Sequence, residues 1–258
     1  MNILKALAVA TATSVLAAPA MATVTNISFT NVKATWLSPS GGSNITYSGQ
    51  GTDNAAIFWG TGTNGGQKSG YRFETDIPAI SVDTDTQTSG ITSIGTFTHY
   101  NYPINSGSGI NGVKLQLTMD VDVDGNIVQG VNFVYAFNHW ETTNNSNPCA
   151  NGGPNNQGVN AGGCADNVKV NFLQESGFFT IDNIEYALDV QGFLVGNDPA
   201  TSFWTRENAT NVAELRGQVV LRSVAGAVPE PASWAMMIGG LAIAGASLRR
   251  RKTAVSFA

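Results

Sequence analysis

Val113, Leu115, Leu117, Met119, Val121 and Val123 alternate with Lys114, Gln116, Thr118, Asp120, Asp122 and Asp124. Successive side chains of an extended chain point to opposite faces, so this strict period of two defines a strand with one apolar face and one wet face. Gly125-Asn126 follows as a tight-turn signal. Val131, Phe133, Tyr135 and Phe137 then resume the alternation, which predicts a β-hairpin.

Shorter strand signals recur through the rest of the chain: Val24–Phe29, Ala56–Trp59, Tyr71–Glu74, Ile94–Thr98, Val168–Phe172, Ile184–Val190 and Gly217–Arg222. Clusters of Gly, Asn, Ser and Pro separate them. No long segment of period 3.6 appears outside the two ends. The expected fold is therefore all-β, a β-sandwich or jelly-roll-like pair of antiparallel sheets. No clean internal repeat points to a solenoid or a propeller.

The two ends carry addresses. In Met1–Ala22 the only charge is Lys5, ahead of an apolar run from Ala6 to Ala18 and the small-x-small site Ala20-Met21-Ala22. That pattern predicts a secretory signal helix, handled by the secretion machinery and cut by signal peptidase between Ala22 and Thr23. At the other end Pro229-Glu230-Pro231 precedes Trp234, an uncharged run over 232–248, and Arg249-Arg250-Arg251-Lys252. Seventeen uncharged residues rise about 26 Å as a helix, the short end of a membrane crossing, and the four cations suit a stop at a cytoplasmic face. The order of Pro-Glu-Pro box, apolar span and basic cluster resembles a PEP-CTERM sorting signal. That resemblance implies processing by an exosortase-type transpeptidase. The expected organisation is a signal peptide at 1–22, a surface domain at 23–222, a linker at 223–228, the sorting signal at 229–252 with a transmembrane helix at 232–248, and a cytoplasmic tail at 253–258.

Without Lys5, Glu230 and the four tail cations, the body keeps 8 of 13 basic and 17 of 18 acidic residues, a net charge of −9. A sparse and acidic surface argues against nucleic-acid binding, which needs clustered Lys and Arg. Cys149 and Cys164, with fourteen residues between them, are the only cysteines. Outside the cytosol such a pair reads as a disulfide, closing a loop with almost nothing apolar to pack. A zinc site on these cysteines needs further ligands at suitable spacing, and none lie nearby in sequence.

Three stretches of the body carry a second resemblance. They are Phe58-Trp59-Gly60 with Gln67-Lys68-Ser69-Gly70-Tyr71-Arg72-Phe73; Gly95-Thr96-Phe97-Thr98-His99-Tyr100-Asn101-Tyr102-Pro103-Ile104; and Glu141-Thr142-Thr143-Asn144 leading to Pro148-Cys149 and Gly163-Cys164-Ala165-Asp166. Together they resemble a choice-of-anchor K domain over about Ile57 to Leu221, with Thr143 standing where that pattern has Pro. The resemblance implies a β-rich surface domain and no catalytic residues.

Candidate chemistry is sparse. Asp120, Asp122 and Asp124, followed by Gly125, superficially match the start of a calcium loop, but Val131 occupies the twelfth position where a bidentate Glu belongs. A solvated strand face is the preferred reading, and a surface Ca²⁺ site the alternative. His99 and His139 are the only histidines. With Tyr100, Asn101 and Glu141 they mark possible ligand loops, as a base or metal ligand, against the commoner reading of hydrogen-bonded loop locks. Glu141, Asp166, Glu175 and Glu185 are carboxylates available to a polysaccharide hydrolase. Among aromatics, Tyr100 and Tyr102 are the best placed for exposure to sugars, ahead of Trp36, Trp59, Trp140 and Trp204. Thr84, Thr86 and Thr88 are too short an array for ice binding. No catalytic motif is present. The expected protein is an exported, non-enzymatic surface or matrix component without a cofactor, structural or adhesive in contact with exopolysaccharide. A carbohydrate-active hydrolase and a calcium-stabilised binding module are the alternatives.

Overall fold

The computed structural model describes residues 26–83, 88–171, 178–181, 184–223 and 231–249. The predicted signal peptide, its predicted cleavage site at Ala22 and Thr23, Thr84, Thr86, Glu175, Pro229, Glu230 and the segment 250–258 lie outside the described residues.

The described chain is antiparallel β with one α-helix. Its strands are β1 (Asn26–Gly41), β2 (Thr46–Ser48), β3 (Asn54–Trp59), β4 (Ser69–Thr75) and β5 (Ile80–Asp83). There follow β6 (Thr88–Ser89), β7 (Thr92–Asn101), β8 (Ile110–Val123), β9 (Asn126–Trp140) and β10 (Asp166–Asn171). The last are β11 (Phe178–Ile181), β12 (Ile184–Val195), β13 (Asp198–Ala200), β14 (Ser202–Thr205) and β15 (Ala209–Ser223), before helix α1 (Pro231–Arg249).

One ladder runs β14-β10-β9-β8-β1-β5, and the other β2-β3-β4-β7-β15-β12, with β11 and β13 both paired to β12. The short strands β5 and β6 carry hydrogen bonding from the first ladder to the second. The two ladders bury their apolar faces against each other. Trp36 of β1 lies 5.7 Å from Tyr71 of β4, 6.1 Å from Phe97 of β7 and 5.9 Å from Phe137 of β9, ring centre to ring centre. Phe97 stacks on Phe137 at 5.1 Å and meets Phe193 of β12 at 5.3 Å. Ile27, Leu115, Leu117, Val121 and Phe133 extend this core along the first ladder.

The alternation of β8 appears as predicted: the residues from Val113 to Val123 on the apolar parity are buried and those between them are half-exposed. The hairpin turn sits one residue earlier than predicted, on Asp124-Gly125. Both residues have positive φ, 48° and 90°, as the tight turn that matches strand twist requires. Asp122 Oδ1 accepts the Gly125 N–H at 2.8 Å and holds the turn. Asp120 Oδ1 likewise accepts the Gly130 N–H at 2.9 Å, where the register between β8 and β9 shifts, and its other oxygen takes Asn31 Nδ2 at 2.7 Å. These two carboxylates thus lock a turn and a bulge. Among the described residues, no three acidic, histidine or cysteine side chains of this hairpin form a metal-sized group.

The strands run longer than predicted. The clearest case is β1, sixteen residues long, which absorbs Asn31 and Ser38 at positive φ near the shifts in its register with β8. The predicted transmembrane helix at 232–248 falls within α1. Helix α1 covers the apolar run, but no helix among the described residues is long and apolar enough to cross a membrane. Its Gly239, Gly240, Gly245, Ser233 and Ser247 dilute the aliphatic content.

Candidate functional site

The interior is apolar until the strands reach one end of the molecule, where four of them place a polar residue on the inward parity. Tyr71 precedes Phe73 on β4, His99 follows Phe97 on β7, His139 follows Phe137 on β9, and Asp166 precedes Val168 on β10. All four side chains are buried, Asp166 completely, at 0 % exposure. Thr205 at the end of β14, Asn101 and Glu207 are buried beside them.

Rings pack this polar end. His99 meets His139 edge-on at 5.2 Å, Tyr71 lies 4.9 Å from His99 and 5.6 Å from His139, and Trp59 sits 5.3 Å from His139. His139 Nδ1 lies 2.5 Å from Tyr71 Oη, and its Nε2 faces Glu141 Oε2 at 3.3 Å. Thr205 Oγ1 donates to the Asp166 carbonyl at 3.2 Å and so accepts from His99 Nδ1 at 2.9 Å. That leaves His99 Nε2 a buried lone pair with no partner among the described residues. Asp166 Oδ1 accepts the Thr142 N–H at 2.7 Å, while its Oδ2 is buried without a partner.

The wall above this cluster is the segment between β9 and β10, which has little apolar content and is tied by polar groups. The Cys149–Cys164 disulfide closes it. Buried Asn160 exchanges amide hydrogen bonds with Asn151 at 2.9 and 3.0 Å, donates to the Pro154 carbonyl at 3.2 Å and accepts the Ala165 N–H at 3.0 Å. Asn155 Nδ2 donates to the carbonyls of Asn144 and Ser146 at 2.9 and 3.0 Å, and Asn144 Nδ2 donates to Glu207 Oε1 at 3.1 Å. Below this wall opens a pocket of about 620 Å³, lined on one side by His139, Trp140, Glu141, Thr142, Thr143 and Asn144.

Burial sets the protonation of the cluster. Desolvation raises Glu141 to about 7. Desolvation, with Glu141 next to it, raises Asp166 to about 8 and Glu207 to about 7. Desolvation holds His139 down to about 4 and His99 well below the ordinary imidazole value. It also pushes Tyr71 well above the usual phenol range. The three acids bind more protons in the native chain than in the unfolded one. Their contribution to stability is complete near pH 4 and is lost as pH rises through about 7 to 8. The two histidines oppose this trend only below their unfolded value near 6.5, where the unfolded chain alone is protonated. Above that value the acids decide the sign. In chelator-containing buffer the melting temperature therefore falls between pH 6.5 and 8, and Glu207→Gln flattens the fall. A melting temperature that holds steady or rises across that interval contradicts the assignment.

Of the residues singled out from sequence, His99, Asn101, His139 and Glu141 converge here, but the first two are buried on β7 rather than displayed in a loop. Tyr100 is excluded from the cluster. It points to the opposite face of β7, half-buried, with Phe58 at 5.8 Å and the Arg72 guanidinium over its ring at 5.5 Å. Tyr102 is half-buried, and of the aromatics singled out for sugar contact the exposed one is Trp140, 55 % accessible. Its ring lies 5.9 Å from that of Trp204. Trp36 and Trp59 are core residues. Glu185 lies on β12, paired with Thr180 and Arg222, away from the site. Sequence reading missed Tyr71, Thr205 and Glu207 and gave Asp166 no place in a cluster. The available signal was parity: a histidine, tyrosine or aspartate in step with inward phenylalanines and valines is buried with them.

Residues 227–252 match the family model described as the PEP-CTERM protein-sorting motif. No curated protein matches the chain. The match covers about a tenth of the sequence and concerns delivery: it marks an exported protein that is sorted by exosortase.

Proposed function

We propose that the protein is an exported, non-enzymatic component of the cell surface or extracellular matrix that adheres to exopolysaccharide. The scaffold is read as a β-sandwich of the jelly-roll kind, akin to choice-of-anchor K domains. The observation that carries the binding role is the row Trp140–Asn167–Trp204. In the pairings of β9, β10 and β14, Asn167 stands opposite both tryptophans, and the two indoles approach across it to 5.9 Å. The exposed Trp140 indole and the half-buried Trp204 indole beside an amide offer a stacking platform and hydrogen-bonding groups for a sugar ring. Trp140 also lines the pocket, whose Thr142, Thr143 and Asn144 add hydroxyls and an amide.

The test is retention of the protein in gels containing exopolysaccharide purified from the producing cells. Trp140→Ala and Trp204→Ala each weaken binding about 5- to 10-fold, the value of an aromatic contact of about 1 kcal/mol or slightly more. The double variant abolishes retention. Trp140→Ala changes stability by under about 0.5 kcal/mol, because its ring is largely in solvent. Undiminished retention of the double variant rejects the proposal.

A hydrolase is the second reading, favoured by the proximity of Glu141 and Asp166. Their nearest ligand atoms lie within 4.8 Å, near the carboxyl spacing of retaining glycosidases. Against it, Asp166 is wholly buried and already committed to the Thr142 N–H, so a sugar reaches only Glu141. Release of reducing ends from the same polysaccharide, lost in Glu141→Gln, would carry this reading instead.

A further inference from the structure

We propose that His139 Nε2, Glu141 and Asp166 bind one zinc-type divalent cation at the floor of the pocket, with an open coordination position facing the pocket. One ligand atom of each residue lies within 4.8 Å of the others, and His139 Nε2 and Glu141 Oε2 are 3.3 Å apart. Ligands held at ~2.1 Å from a tetrahedral cation stand ~3.4 Å from one another, so one contact already has the required spacing. The other two separations, each within 4.8 Å, close by adjustment of the Glu141 and Asp166 side chains.

Independent of spacing, the cluster contains an orphan. Asp166 is completely buried, and its Oδ2 has no hydrogen-bond partner among the described residues. A buried carboxylate oxygen without a donor is costly to keep, and a cation is one group that satisfies it. Neither Asp166 nor Glu141 has a Lys or Arg ion-pair partner among the described residues.

The surroundings are those of a metal ligand set. Tyr71 Oη lies against His139 Nδ1, fixing the imidazole plane. With Nδ1–H donating to that oxygen, Nε2 presents its lone pair to the cation, the usual outer-shell arrangement for a ligating histidine. Thr142 N–H orients Asp166 in the same manner through Oδ1. One imidazole and two carboxylates suit zinc, whereas calcium prefers an all-oxygen set of six to eight ligands. Three protein ligands leave a fourth position, and since His139 and Glu141 line the pocket that position opens into it. The inference goes beyond the polysaccharide reading and does not depend on it.

The experiment uses the protein as recovered from producing cells, stripped with a zinc chelator and titrated with Zn²⁺ by calorimetry at pH 7.5. One equivalent binds per chain and raises the melting temperature. Glu141→Gln and Asp166→Asn, the latter keeping Oδ1 for Thr142 N–H, each weaken uptake at least ~100-fold, beyond the usual effect of an outer-shell group. Tyr71→Phe weakens it about 10-fold, and Asp122→Asn leaves it unchanged. Should Asp166→Asn fail to fold, Glu141→Gln at the pocket wall and the visible spectrum of the Co²⁺-loaded parent decide the matter. Co²⁺ gives ligand-field bands that shift on adding azide, which reports the open position. Absence of both heat and a melting shift with Zn²⁺ overturns the proposal, as does unchanged uptake by the two carboxyl variants. Co²⁺ bands that ignore azide overturn the open position.

Discussion

Trp36→Ala lowers unfolding stability by about 3–5 kcal/mol, the largest single loss expected in this chain. Trp36 is 2 % exposed and stands between the two ladders, touching rings from β4, β7 and β9. Truncation leaves a void that Tyr71, Phe97 and Phe137 cannot close, because each is itself held by other rings. It also deprives the Ala55 carbonyl of the indole Nε1–H, donated at 3.0 Å. Losing that bond adds about 1 kcal/mol to the cost of the cavity. Urea unfolding of the variant against the parent measures the sum. A loss below about 1 kcal/mol means that the ladders do not share the core described here.

Cys149→Ser with Cys164→Ser costs about 3 kcal/mol on the chain-entropy account of a loop this long, the two cysteines being 15 residues apart. The consequence reaches beyond stability. Cys164 lies two residues before Asp166, and Thr142 Oγ1 donates to the carbonyls of Cys164 and Ala165 at 3.1 Å each. Opening the loop therefore loosens the groups that orient Asp166 and wall the pocket. The amide exchange between Asn151 and Asn160 retains part of the loop, so the double variant folds while melting lower. Thermal unfolding of oxidised parent, reduced parent and double variant gives the comparison, with gel retention on exopolysaccharide as the functional readout. Equal melting temperatures in all three would show that the amides alone hold the loop.

The hairpin of β8 and β9 was legible because both its strands alternate without interruption and the intervening residues tolerate positive φ. Its turn was misplaced by one residue because Asp124, like Asn126, accepts the left-handed region, and the choice was made by Asp122 reaching the Gly125 N–H. The disulfide was legible from cysteine count and context. Strand lengths were underestimated where bulges at Asn31 and Ser38 let β1 continue past residues that read as breaks. The polar end was legible only in pieces. His99, His139, Glu141 and Asp166 were visible as chemistry without a common place, while Tyr71 looked like part of an ordinary strand.

Local periodicity, turn residues and terminal composition by themselves determined an exported, sorted, antiparallel β protein with one tied loop. Each of those signals acts over a few residues and follows from backbone geometry, redox environment or processing. Tertiary structure alone decided that Tyr71, His99, His139 and Asp166 share one buried end, and that Trp140 and Trp204 form a pair. Parity tells which face a side chain takes, but the order and register of strands tell which side chains meet. Here β10 lies between β9 and β14, and β7 faces them across the core. Residues as distant in sequence as His99 and Thr205, 106 positions apart, come into contact only when those ladders have assembled.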